Sequence, residues 1–120
     1  VLTCCAGSLS AGAHNNVPEL ARKYASHTKF VHLRSTDVLP GGNFKEASHL
    51  AGRAGIIDLV RTFQKENPSL PMRVDHAPLM LGDEKMGYNA GYSFHGRMLA
   101  LGQMEGVMAV VDREIAEGKI

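Results

Sequence analysis

The chain has 120 residues, 44% of them hydrophobic, which suits one compact domain and is too little for two. Thirteen basic residues stand against twelve acidic ones, a formal charge of +1 with the signs interspersed, so no concentrated basic face for nucleic acid is expected. The apolar runs are too short for a bilayer span, and the N-terminus lacks the basic segment, apolar core and cleavage site of a secretory signal, which leaves a cytoplasmic protein as the expectation.

The first run, VLTCC, reads as a strand ending at Cys5. Its adjacent cysteines, Cys4 and Cys5, would form a strained disulfide, and strand alternation sends them to opposite faces. Two free thiols are expected, of which at most one faces a shared site. Residues 6–16, AGSLSAGAHNN, read as a loop. The next stretch, VPELARKYASH, puts Val17, Leu20, Ala21 and Tyr24 on one helical face, with Asn15 or Asn16 as N-cap and Pro18 in the tolerant first turn.

Lys29 to Ser35 repeats the strand signature, and residues 36–55 read as a long connection containing the pair Gly41-Gly42. Those two glycines are not followed by a dinucleotide or P-loop pattern, so no nucleotide cofactor is expected. Ile56, Val60 and Phe63, flanked by Ile57 and Leu59, form a helical stripe that stops at Asn67, because a residue before proline is pushed out of the helical region. Pro71 to Ala77 reads as a third short strand, and residues 78–93 as a Gly-containing loop. The last and longest helix carries Phe94, Met98, Leu101, Met104, Met108, Val111 and Ile115 at steps of three or four, a stripe expected to pack into the core, methionines included.

The order βαβαβα, about three strands and three helices, argues for parallel strands with right-handed crossovers. Three such units suit part of a TIM (β/α)₈ barrel, whose sites gather at the C-terminal strand ends. The chain opens without an initiator Met and directly on a strand, so residues 1–120 are expected to form a single partial domain, with further barrel units upstream.

Cys5, His32 and Asp75 each fall at the C-terminal end of a strand-like run. A thiolate, an imidazole and a carboxylate converging there could hold a divalent metal, although this donor set alone selects no single ion. Taken singly, a cysteine is more often a small core hydrophobe and a strand histidine a hydrogen-bonded core residue. His76, beside Asp75, could act as a general acid or base or simply cap a loop. Arg34 and Arg73 could hold a carboxylate or form ordinary ion pairs at the strand ends. His14, His27 and His95 read as solvent-facing or capping residues.

The words CAGSL (5–9), FVHLRST (30–36), NFKEASHLAG (43–52), MRVDHA (72–77) and AGYSFHGRMLALGQMEG (90–106) resemble, in order and spacing, the C-terminal part of mannonate dehydratase. The resemblance covers essentially the whole chain. It implies a xylose-isomerase-like barrel and a metal-dependent hydro-lyase that converts D-mannonate to 2-keto-3-deoxy-D-gluconate in hexuronate (glucuronate) breakdown. By motif it makes Cys5, His32 and Asp75 three ligands of Mn2+ or Fe2+, a fourth ligand being an upstream histidine, and gives His76, Tyr92 and Asp75 parts in proton transfer. It further implies a homo-oligomer and an N-terminal barrel half outside this chain. Gly87 and Gly91 would give the loop around Tyr92 the mobility a lid needs. His49, in ASHLAG, could contact substrate or another subunit, or make loop hydrogen bonds. Two positions depart from the family pattern: Ala77 stands where a glycine is usual, and Ala90 where many members have a proline. The competing readings are another xylose-isomerase-like sugar isomerase or epimerase, or a non-catalytic barrel fragment.

Overall fold

A computed structural model describes residues 1–120. Strands β1 (Leu2–Cys5), β2 (Thr28–His32) and β5 (Met72–Arg73) form a parallel sheet in the order β1-β2-β5. Helices α2 (Val17–Tyr24) and α3 (Ile56–Glu66) lie in the two crossovers, and α4 (Phe94–Ala116) follows β5. The fold is α/β with a parallel sheet and four helices. The fourth is α1 (Ala6–Ser10), a single turn where a loop was expected.

The crossover from β2 to α3 also differs from its sequence reading. Instead of an unstructured connection it contains an antiparallel hairpin, β3 (Ser35–Val38) with β4 (Phe44–Ala47), turning at Gly41 and Gly42, both at positive φ. The third parallel strand is likewise shorter than Pro71–Ala77: only Met72 and Arg73 pair with β2, and Ala77 instead bridges to Tyr92.

Local chemistry explains the helix limits. Asn16 caps α2 by accepting a hydrogen bond from the Glu19 amide at 3.2 Å, with Pro18 in the first turn. Helix α3 ends at Asn67, extended at φ −154°, before Pro68. The Ser93 hydroxyl caps α4 through the Gly96 amide at 2.8 Å.

The core lies between the sheet and the inner faces of α2, α3 and α4. Ile56, Leu59, Val60 and Phe63 of α3 are buried there with Val17, Ala21, Val31, Leu33, Met104 and Val111. Burying each large side chain contributes roughly 1.5–3 kcal/mol. The stripe of α4 enters the core only in part. Met104 and Val111 are buried and Met108 and Ile115 pack against the cluster, but Phe94, Met98 and Leu101 are exposed. The first half of the helix instead turns Gly96 and Ala100 inward, and a side chain at Gly96 would meet the Pro78 carbonyl at 2.5 Å. No helix is long and apolar enough to cross a membrane.

Loops on the C-terminal side of the sheet are tied by polar groups. The Arg53 guanidinium donates to the carbonyls of Ser10, Gly12 at 3.1 Å and Ala13 at 3.1 Å, fixing the turn between α1 and α2. The Ser10 and Thr36 hydroxyls, both buried, bond at 2.8 Å and join α1 to β3.

Candidate metal centre

Parallel register sets the site. Cys5 pairs with His32 across β1 and β2, and His32 pairs with Arg73 across β2 and β5. Three strand ends therefore stop level with one another, and Asp75 follows two residues beyond the last of them. The Cys5 sulfur, a His32 ring nitrogen and an Asp75 carboxylate oxygen lie within 4.8 Å of one another.

Each member is aimed by its surroundings. Strand alternation turns Cys4 into the core, where burial pushes its thiol up to about 11, the neighbouring Cys5 adding to the effect. Cys5 faces the other way, and its sulfur accepts a hydrogen bond from the Ser8 hydroxyl at 3.2 Å. Both cysteines are free thiols. The His32 ring packs edge-on against Phe30, with centroids 5.0 Å apart, and its Nδ1 stands 3.7 Å from Asp75 Oδ2. Asp75 is 9% exposed and is the one non-glycine residue at positive φ, 62°. That left-handed geometry, sparsely populated by L-residues but tolerated by Asp, swings the carboxylate back over the strand ends.

The donor set suits a divalent ion. A metal with sulfur, nitrogen and oxygen ligands at their usual lengths holds those atoms roughly 3–4 Å apart, so small side-chain rotations bring this set to ligating distance. Sulfur, imidazole and carboxylate together match a borderline transition ion rather than calcium or magnesium.

Beside this cluster stand His76 and Tyr92, their rings edge to face with centroids 4.7 Å apart. His76 Nδ1 lies 3.1 Å from the Gly91 carbonyl, which can only accept, so Nδ1 carries the proton and Nε2 keeps a lone pair in the neutral ring. The same carbonyl accepts from the Ala77 amide at 3.3 Å, which locks the Tyr92 loop to the segment after β5. Gly91 is at φ 86°, a conformation that favours glycine, and an added Cβ would stand 3.0 Å from His76 Nδ1, so that the ring would have to yield slightly. Ala77 needs no such freedom: it is fully buried at negative φ, and the left-handed residue of this turn is Asp75. The Arg97 guanidinium sits 5.2 Å from the Tyr92 ring centre, a cation–π contact from the first turn of α4.

Further out, both arginines singled out in the sequence form ion pairs. Arg34 is held in a two-pronged pair with Glu46 of β4, Nε donating at 2.9 Å and 3.0 Å, which with that bond as the chief cause raises its already high pKa. Its stem lies directly over Gly7, where an added Cβ would fall 2.2 Å from Arg34 Cδ. Arg73 reaches Asp75 Oδ1 at 3.1 Å with half its side chain exposed.

His49 is 2% exposed, with Nε2 donating to the Val74 carbonyl at 2.7 Å, and burial lowers its pKa so that it stays neutral. His14 and His27 are exposed, as is His95, which faces the buried Asp83 at 3.7 Å. Asp83 anchors the Tyr92 loop by accepting from the Ser93 hydroxyl and from the Met80 amide at 2.7 Å. The hydroxyl bond first, and then the amide, hold its carboxyl below the usual range. Glu46, Asp83 and Arg97 were not singled out by the sequence; their roles come from contacts over 10 residues or more or, for Arg97, from its place one turn into α4.

Comparison with known proteins places these residues in a family setting. The model of the family described as D-mannonate dehydratase (UxuA) matches residues 1–117. Mannonate dehydratase 2 of Agrobacterium fabrum is 35% identical over 123 residues, covering 95% of this chain and 31% of that protein. Mannonate dehydratase of a Marinomonas species is 37% identical over 116 residues, covering 88% of this chain and 30% of its own. The crystal structure of mannonate dehydratase from Streptococcus suis serotype 2 superposes with a TM-score of 0.83 at 23% identity, over 96% of this chain and 33% of that one, a likeness of fold. The chain thus spans about a third of the length of the relatives it matches.

Proposed function

Because the chain belongs to the D-mannonate dehydratase family, we propose that it supplies the metal-binding end of an enzyme that dehydrates D-mannonate to 2-keto-3-deoxy-D-gluconate in glucuronate catabolism. Residues 1–120 act as one partial domain, three successive β/α units in the C-terminal part of a xylose-isomerase-like (β/α)₈ barrel, completed by an N-terminal half and working as a cytoplasmic homo-oligomer. Cys5, His32 and Asp75 hold Mn2+ or Fe2+ together with a histidine from that other half. The observation that carries the reading is the convergence of these three side chains within 4.8 Å at adjoining strand ends, next to the paired rings of His76 and Tyr92.

The reaction removes the proton on the carbon beside the carboxylate and expels the hydroxyl of the next carbon. The resulting enol takes a proton at that second carbon and becomes the 2-keto acid. A bound divalent ion supplies Lewis-acid stabilisation of the negative charge that develops on the substrate. The chain's own residues handle the protons. With its Nδ1 proton committed to the Gly91 carbonyl, the neutral His76 ring presents Nε2 as the proton acceptor. The Tyr92 phenol, held against the His76 ring and the Arg97 guanidinium, is the second proton-exchanging group, and Asp75 can take part from its place beside them.

The test is turnover of D-mannonate by the full-length polypeptide with Mn2+ supplied and then chelated. The keto-deoxy acid should form with metal, and chelation should stop it. A folded, metal-loaded protein that leaves D-mannonate intact would refute the assignment and favour a sugar isomerase or epimerase on the same fold.

A further inference from the structure

We propose that His49 is a positioning residue for Asp75, acting through the Val74 carbonyl: its buried imidazole clamps the peptide that leads into Asp75 and so keeps the carboxylate over His32. The inference rests on the reading of Asp75 as a metal ligand, and it concerns a residue outside the cluster of Cys5, His32 and Asp75.

Three observations carry it. His49 lies in the segment joining β4 to α3, 25 residues before Val74, yet it is almost wholly buried and its Nε2 bonds the Val74 oxygen at 2.7 Å. A carbonyl can only accept, so that nitrogen must carry the proton. The residue after Val74 is the one non-glycine residue at positive φ. Such a conformation persists only where surrounding groups over-determine it. Rotation of the Val74–Asp75 peptide is the motion that would let Asp75 relax to negative φ, and that rotation carries the Val74 oxygen away from His49. The other visible holds on Asp75, its contacts with the half-exposed Arg73 at 3.1 Å and with His32 at 3.7 Å, are made by the carboxylate and leave the backbone unfixed.

The chemistry of the clamp is a neutral N–H donor on a rigid buried ring, so a donor of similar reach should replace it. In the full-length protein, His49→Gln keeps an N–H near the Nε2 position, whereas His49→Phe keeps the ring and loses the donor. Two readouts are needed, the Mn2+ dissociation constant and, in metal-free protein, hydrogen exchange at the Leu33 and Ala77 amides, whose bonds to the Arg73 and Gly91 carbonyls flank Asp75. His49→Phe should weaken Mn2+ binding about ten-fold or more, as losing a group that orients a ligand does. It should also speed exchange at those amides by about ten-fold while α3 keeps its protection. His49→Gln should recover most of both effects. Should His49→Phe fail to fold, His49→Leu serves as the smaller donor-free variant. Unchanged affinity and exchange in the donor-free variant overturns the proposal, as does a Gln variant no better than Phe. If the parent protein binds no Mn2+, the metal-ligand reading fails by itself, and the exchange pattern still decides whether His49 holds the backbone of Asp75.

Discussion

Replacing Gly91 with alanine tests the architecture of the proposed proton-transfer pair, His76 and Tyr92, most directly, because backbone and side-chain costs there can be worked separately. At φ 86° an L-residue gives up about 1–2 kcal/mol relative to glycine. The new Cβ would lie 3.0 Å from His76 Nδ1 and 3.5 Å from Glu46 Cγ, so the imidazole must yield by a few tenths of an ångström. That shift strains the 3.1 Å bond from Nδ1 to the Gly91 carbonyl, worth about 1 kcal/mol. Gly91→Ala should therefore cost roughly 2–3 kcal/mol in urea unfolding of the full-length protein. It should also lower kcat for D-mannonate by roughly ten- to a hundred-fold, part of the factor a placed acid–base group supplies. Mn2+ affinity should stay within about three-fold of the parent, since no proposed ligand moves. A variant that unfolds within about 0.5 kcal/mol of the parent with kcat intact would refute the argument that this glycine sets the His76–Tyr92 geometry.

Two further outcomes follow from the placement of the thiols and of Asp83. At about pH 7.5, a maleimide should label Cys5 in metal-free protein and leave Cys4 untouched, because burial holds the Cys4 thiol protonated near 11; Mn2+ should protect Cys5. Mass spectrometry of the labelled peptide reads this, and labelling of Cys4 first would contradict the assigned faces. The Asp83 carboxyl is depressed in the folded protein, so its contribution is complete above the unfolded value of about 3.9 and is lost as pH falls through the folded one. Acid titration of the Tyr92 loop, followed by tyrosine fluorescence, should show loosening only below about pH 4, and Asp83→Asn should remove that dependence.

How much of this was legible beforehand depended on whether the deciding contacts were local. The strand ends carrying Cys5 and His32 could be read because short β-prone runs stop at turn signals, and parallel pairing then brings the two into register. The hairpin of β3 and β4 could not, since Asp37, Lys45 and Glu46 leave its strands no alternating apolar face and its stability comes from packing on α1. Helix α4 misled for the opposite reason: it is apolar on several sides, so periodicity alone does not choose the buried one. Gly96 and Ala100 choose it, by allowing close approach to the loop at Pro78. His49 showed as one loop histidine among others, because its burial depends on a segment 25 residues away. Asp75 was placed in a strand, and its left-handed turn became visible only with β5 ending at Arg73.

The clasp of Arg34 over Gly7 imposes an order on how this sequence can drift. Any side chain at position 7 occupies the volume of the Arg34 stem, evicting the guanidinium and leaving the partly buried Glu46 carboxylate without its counter-charge beside His76 and Gly91. A broken pair of this kind costs more than its absence from the start. Gly7 is thus frozen while Arg34 remains, and Arg34 while Glu46 remains, so change at these three positions in separate segments should begin at Glu46. A lineage that has relinquished the carboxylate first would be the one in which position 7 becomes free to vary.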